Sequence, residues 1–175
     1  MRYDRRGDLY QCGMVLFQIL GGRLPYSYHE YLTTKEKAEY LALNDDFDRC
    51  RLIDSAIEKK AAAGTLINFS SLPAFVPLSV RKVIKRAVSV NPNDRFQNAS
   101  DFMNNLNSLS NVIVDWQFED GVPVAFCNGG KFRVRRIGTS FAAEQDKGKG
   151  WRRIPNLPNG TLTNMIKEID ARCLR

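Results

Sequence analysis

Histidine is nearly missing from this chain, with His29 the single one among 175 residues. Zinc sites and Ser or Cys triads need imidazoles or clustered thiolates at short spacing. The four cysteines, Cys12, Cys50, Cys127 and Cys173, are scattered and form no C-x-x-C pair. Neither a metal centre nor a nucleophilic triad is therefore expected. The same scatter points to a reducing compartment, with Cys12 as a buried thiol in an apolar helical run. Long apolar runs are missing too. Met14 to Leu20 spans seven residues behind a charged amino terminus, too short for a membrane span and wrongly flanked for a signal peptide. The expectation is a cytoplasmic protein with no membrane partner. Asp45, Asp46 and Asp48 lack the spaced oxygen ligands of a calcium loop and read as a helix start. No catalytic, cofactor-binding or metal-binding residue is expected.

What is present divides into two kinds of pattern. Residues 8–20 are apolar on every side, which predicts a helix buried all round, closed by Gly21 and Gly22. Helices are expected over 34–43 and 46–63, the second capped by Asp45 or Asp46, packing Phe47, Cys50, Ile53 and Ile57, and ending at Gly64. Residues 79–88 repeat Val80, Val83, Ile84, Ala87 and Val88 at helical spacing, and a further helix starts near Asn98 with Ala99, Phe102, Met103 and Leu106 inward. Beyond residue 111 the spacing changes. Residues 112–118 and 122–127 read as strands joined by an Asp120-Gly121 hairpin turn, and 131–137 as a third. Residues 138–150 read as polar and mobile, with a short fourth strand over 151–154 and a terminal helix capped by Thr161 or Thr163. The fold class expected is α+β: a helical region at 1–109, then a small basic meander-plus-helix appendage at 110–175.

Two stretches in the helical part carry a family likeness. Asp8-Leu9-Tyr10-Gln11-Cys12-Gly13 opens the first helix, and Asn91-Pro92-Asn93-Asp94-Arg95-Phe96 joins the last two. With Gly22-Arg23-Leu24-Pro25-Tyr26, these resemble the carboxy-terminal part of the large lobe of a eukaryotic-type, bacterial-like Ser/Thr protein kinase domain, over about residues 4–107. The resemblance makes Asp8, Gly13, Pro25, Pro92 and Arg95 structural anchors. The family's glycine-rich loop, Val-Ala-x-Lys strand, His-Arg-Asp loop and Asp-Phe-Gly motif do not occur in these residues, so neither ATP nor magnesium binding is implied. In the family, Arg95 would pair with the glutamate of an Ala-Pro-Glu motif, which is also missing. A buried charge without its partner costs several kcal/mol. Arg95 and Asp8 are therefore expected to be exposed or re-paired, with each other, Arg5, Arg6 or Asp4 as candidates. The apolar side of the first helix that a complete lobe would cover, drawn from Leu9, Cys12, Met14, Phe17 and Leu20, becomes a candidate interface.

The appendage offers a different surface. Strand alternation puts Lys131, Arg133 and Arg135 on one face, and Arg152 and Arg153 lie near Trp151, Lys147 and Lys149 in sequence. Such a face suits a phosphate backbone, but solvated surface charge is the favoured reading. Residues 111–175 carry 11 basic and 7 acidic side chains, too even a balance to overturn it. Three function classes follow: a non-catalytic, pseudokinase-like interaction or regulatory protein with a protein partner or self-association; the carboxy-terminal portion of an active Ser/Thr kinase; and a nucleic-acid-binding module.

Overall fold

The computed structural model describes residues 5–174. The chain is α+β, with five helices preceding a five-stranded antiparallel meander and a sixth helix closing the chain. By their contacts the residues form two compact units. Among the described residues, one is 5–73 with 78–105; the other is 74–77 with 106–174. The sequence placed the division between 109 and 110 and assigned 74–77 to the helical part.

The helical unit contains α1 (Arg5–Ile19), α2 (Thr34–Ala42), α3 (Asp46–Ala62), α4 (Leu78–Ala87) and α5 (Ala99–Asn107). Local capping explains most of the helix starts. Thr33 and Glu36 form a reciprocal box at α2, Asp45 Oδ2 accepts from Asp48 N at α3, and Asn98 Oδ1 accepts from Asp101 N ahead of α5. α4 buries Val80, Val83, Ile84 and Ala87 on one stripe, as its periodicity predicts. α1 packs on α4 through Gly13, where a Cβ would lie 2.7 Å from Ala87 Cβ and 2.8 Å from Val88 Cγ1. No side chain fits there without moving the helices apart.

Three expectations for this unit are corrected. α1 is not buried all round: it buries Leu9, Gly13 and Phe17, one stripe at i, i+4 and i+8, while Val15 and Ile19 are 52% and 74% exposed. Cys12 lies off that stripe, so its free thiol is exposed rather than buried. On α3, Phe47 and Cys50 are exposed and Ala56 is the buried residue.

The second unit is built on β1 (Asp115–Glu119), β2 (Val122–Cys127), β3 (Gly130–Ile137), β4 (Ser140–Asp146) and β5 (Arg152–Arg153), each paired with the next in sequence. Asp120 and Gly121 both take positive φ, 50° and 77°, matching a two-residue hairpin turn of the primed kind. The segment read as mobile contains β4, which pairs with β3 along its whole length, Lys131↔Asp146 to Ile137↔Ser140. Its run Phe141-Ala142-Ala143-Glu144 has no clean alternation, because Ala142, Ala143 and Glu144 are buried on both faces. β1 starts at Asp115, since Ser110–Val112 forms a 3-10 turn instead of strand.

The terminal helix α6 (Leu162–Cys173), capped by Thr161, lies on one face of the sheet. Met165, Ile166 and Ile169 meet Ala125, Phe132, Val134, Ala143 and Ile154 there. Phe75 stacks on Trp116 at a centroid distance of 5.5 Å and meets Phe118 edge-on. A disulfide joins Cys127, at the end of β2, to Cys173, at the end of α6, with Cα atoms 5.2 Å apart. The expectation of four unpaired thiols is thereby corrected, and the cysteines no longer argue for a reducing compartment. No helix among the described residues is long and apolar enough to cross a membrane.

Candidate functional sites

The structural anchors expected from the sequence resemblance fall into two groups. Gly13 is the α1–α4 contact already described. Pro92 begins a 3-10 turn, Pro92–Asp94, whose N-cap Asn91 accepts from Asn93 N through its side chain. The guanidinium of Arg95, the residue after that turn, donates to three backbone carbonyls: Ser89 at 2.6 Å, Val90 at 3.2 Å and Arg6 at 3.2 Å. It also lies over the Tyr10 ring, 4.8 Å from the centroid. Burial raises the Tyr10 hydroxyl pKa, and the Arg95 charge opposes that rise. Arg95 is thus half-buried and re-paired, but with carbonyls instead of the carboxylates the sequence suggested. Asp8 is exposed, Asp4 lies outside the described residues, and Pro25 is half-buried.

Arg81 makes a second clamp of the same type. It donates to the carbonyls of Phe69, Leu72 and Pro73 at 3.1, 3.2 and 2.6 Å. Burial lowers its pKa. Both arginines bind carbonyls of irregular loops, and Arg95 also reaches the carbonyl of Arg6 in the first turn of α1.

The candidate interface on α1 separates into inward and outward members. Leu9 and Phe17 are 5% and 0% exposed, Phe17 packing edge-on against Phe69. Those two therefore cannot be contact residues on a folded chain. Met14 and Leu20 are half-buried and Cys12 is exposed. The outward apolar line is Cys12, Val15 and Ile19, at i, i+3 and i+7.

On the sheet, register places Lys131, Arg133 and Arg135 on the face away from α6, as alternation predicts. Acidic neighbours occupy all three. Lys131 Nζ lies 2.6 Å from Glu119 Oε1. Arg133 Nη2 lies 2.6 Å from Glu144 Oε2, and Arg135 Nη1 lies 3.5 Å from Glu144 Oε1. Glu144 is only 8% exposed, so these arginines are the counter-ions that make its burial tolerable. The Arg133 guanidinium also covers Trp151, 4.3 Å from the ring centroid. Val124 and Ala142, both buried on this face, have Arg133 and Arg135 as cross-strand neighbours.

Arg152 and Arg153 stand apart from that paired group. With Lys147, Lys149 and Gln145 they line a pocket of about 410 Å³ at the β4–β5 hairpin. Arg153 Nη2 donates to Asn159 Oδ1 at 2.6 Å. The sequence placed Lys147 and Lys149 near this group without assigning them to it. The usable signal was Lys147-Gly148-Lys149-Gly150, a glycine-spaced turn between two strands. Among the described residues, no group of three or more His, Cys, Asp or Glu side chains is placed to hold a metal ion. No protein-family model matches the chain, and neither a curated protein nor a solved structure matches it.

Proposed function

We propose that this chain works as a non-catalytic interaction and regulatory module, pseudokinase-like in its helical unit. The observation that carries this reading is Arg95. The residue that, by resemblance, would tie an activation segment to the lobe through a glutamate instead closes on three backbone carbonyls. The helical unit thereby completes this joint without any catalytic element. In a kinase, phosphoryl transfer rests on a nucleotide loop, a lysine, a catalytic aspartate and a metal-binding aspartate, and these residues contain no such set of motifs.

The surface proposed for contact is the outward line Cys12, Val15 and Ile19 on α1, a strip of apolar side chains on a helix whose opposite side is packed. Its proposed occupant is a protein, another copy of the chain included. Calorimetry with Mg-ATP and a radiolabel transfer assay test the non-catalytic claim. No saturable heat and no transferred label are expected, and micromolar nucleotide binding would overturn the reading. Sedimentation of the native chain against Val15→Asp/Ile19→Asp tests the surface by whether association is lost.

A further inference from the structure

We infer that the β4–β5 hairpin is a binding site for a phosphomonoester group. This inference is independent of the interaction surface on α1. It rests on how the cations of the second unit are distributed. Lys147, Lys149, Arg152 and Arg153 line one pocket, and no carboxylate lines it with them. Among the described residues, none of Lys147, Lys149 and Arg152 has an acidic group within 4 Å, whereas Lys131, Arg133 and Arg135 each have one.

The two nearest carboxylates are committed elsewhere. Asp146 Oδ1 accepts from the backbone N–H groups of Gly148, Lys149 and Gly150 at 2.7, 3.1 and 3.0 Å, which shapes the turn. Glu144 is the cross-strand neighbour of Arg153, but its two oxygens take Arg133 and Arg135. Arg153 is left with a neutral partner, Asn159. Lys147, Lys149 and Arg152 are therefore cations that the fold does not neutralise, with Arg153 on the opposite face of β5 from Arg152.

The form of the cluster selects the ligand. A phosphomonoester carries a charge of about −1.5 to −2 at neutral pH and three strong acceptor oxygens, which suits a small pocket lined by several cationic residues. A nucleic-acid backbone carries one charge per phosphate along an extended path. The one extended row of cations, on β3, is already paired with Glu119 and Glu144. The aromatic next to the pocket, Trp151, already has one face taken by Arg133, which leaves less of it for base stacking. A compact dianion fits what remains.

The test uses the whole chain and a fluorescein-labelled peptide bearing one phosphoserine, read by anisotropy at low salt. The unphosphorylated peptide, O-phosphoserine and a short DNA duplex serve as comparisons. Saturable binding of the phosphopeptide is expected, with the unphosphorylated peptide at least about tenfold weaker. Lys149→Ala/Arg152→Ala should weaken binding by about tenfold or more, and Lys149→Glu further. Lys131→Ala, already ion-paired, should change it by less than about twofold. Lys149 and Arg152 are exposed and Lys131 is half-buried, and circular dichroism verifies that the variants fold. Displacement by free O-phosphoserine would identify the phosphate alone as the recognised group; failure to displace would assign the site to a phosphorylated protein segment. Either outcome supports the site. Equal binding of the two peptides, an unchanged affinity in both Lys149 variants, or a duplex that binds at least as tightly as the phosphopeptide would overturn it.

Discussion

Arginine holds both units together, but by different chemistry. In the helical unit Arg81 and Arg95 each donate to three backbone carbonyls. In the sheet unit Arg133 and Arg135 grip the carboxylate of Glu144. Backbone bookkeeping explains the difference. A meander satisfies its own carbonyls strand by strand, so a side chain lying on it must find another side chain. Connections such as 69–73 and 88–95 offer carbonyls outside any strand ladder, and a planar fork of five N–H groups can satisfy several at once. A basic residue in a loop is thus no guide to an anionic ligand until its partners are known, and the same holds on the sheet.

The largest expected effect separates the units by their covalent chemistry. Cys127→Ser/Cys173→Ser opens a loop with a sequence separation of 46, and the chain-entropy estimate for such a loop is about 4 kcal/mol. The loss should be confined to the sheet unit: amide exchange should quicken across β2, β3 and α6 and stay unchanged in α4. Equal loss of protection in both units would break the comparison.

A smaller effect sharpens the arginine contrast. Arg95→Lys keeps the charge but cannot reach three separated carbonyls from one nitrogen, and about 2 kcal/mol of stability should go. Arg133→Lys still offers a cation to one carboxylate and should cost about 1 kcal/mol. Denaturation midpoints of the two variants measure this. The reverse order would show that carbonyl clamps and carboxylate pairs are not distinct in kind.

The smallest effect is a pH dependence in the sheet unit. Burial raises the Asp170 pKa, and the indole N–H of Trp116, donating to Oδ1 at 2.9 Å, partly opposes that. A carboxyl whose folded pKa lies above its unfolded value favours folding while protonated. Its contribution is fully present below the unfolded pKa and is lost as pH rises through the folded one. Asp170→Asn keeps an acceptor for Trp116 without the charge, so it should raise the melting temperature at pH 7 by about 1–3 °C and leave it nearly unchanged in acid. A lower melting temperature at pH 7 would show that the charge is needed there.

Much of the architecture was legible because it is local. The Val80, Val83, Ile84, Ala87 stripe, the Asp120-Gly121 turn and the caps at Asp45, Asn98 and Thr161 each involve residues within one or two turns of chain. What escaped was set by distant partners. β4 hides its strand character behind Ala142 and Ala143, small residues buried on both faces that show no alternation. α1 looked buried all round because apolar residues encircle it, yet only the Leu9, Gly13, Phe17 stripe meets a neighbour. The Cys127–Cys173 bond and the Arg133–Glu144 pair require knowing that β2 runs under α6 and that Arg133 stands opposite Glu144. Candidate anion contacts could be read from sequence as a set. Sorting them into neutralised and open members needed the register.

Phe75 sits in a loop between two helices of the first unit, yet its aromatic partners are Trp116 and Phe118. During synthesis at about 5–20 residues per second, the ribosome adds Trp116 roughly 2–8 s after Phe75. For that interval the helical residues around Phe75 have been made while its ring has nothing to stack on. The second unit is consequently discontinuous in sequence, and a fragment cut at residue 106 would carry Trp116 without the ring that covers it.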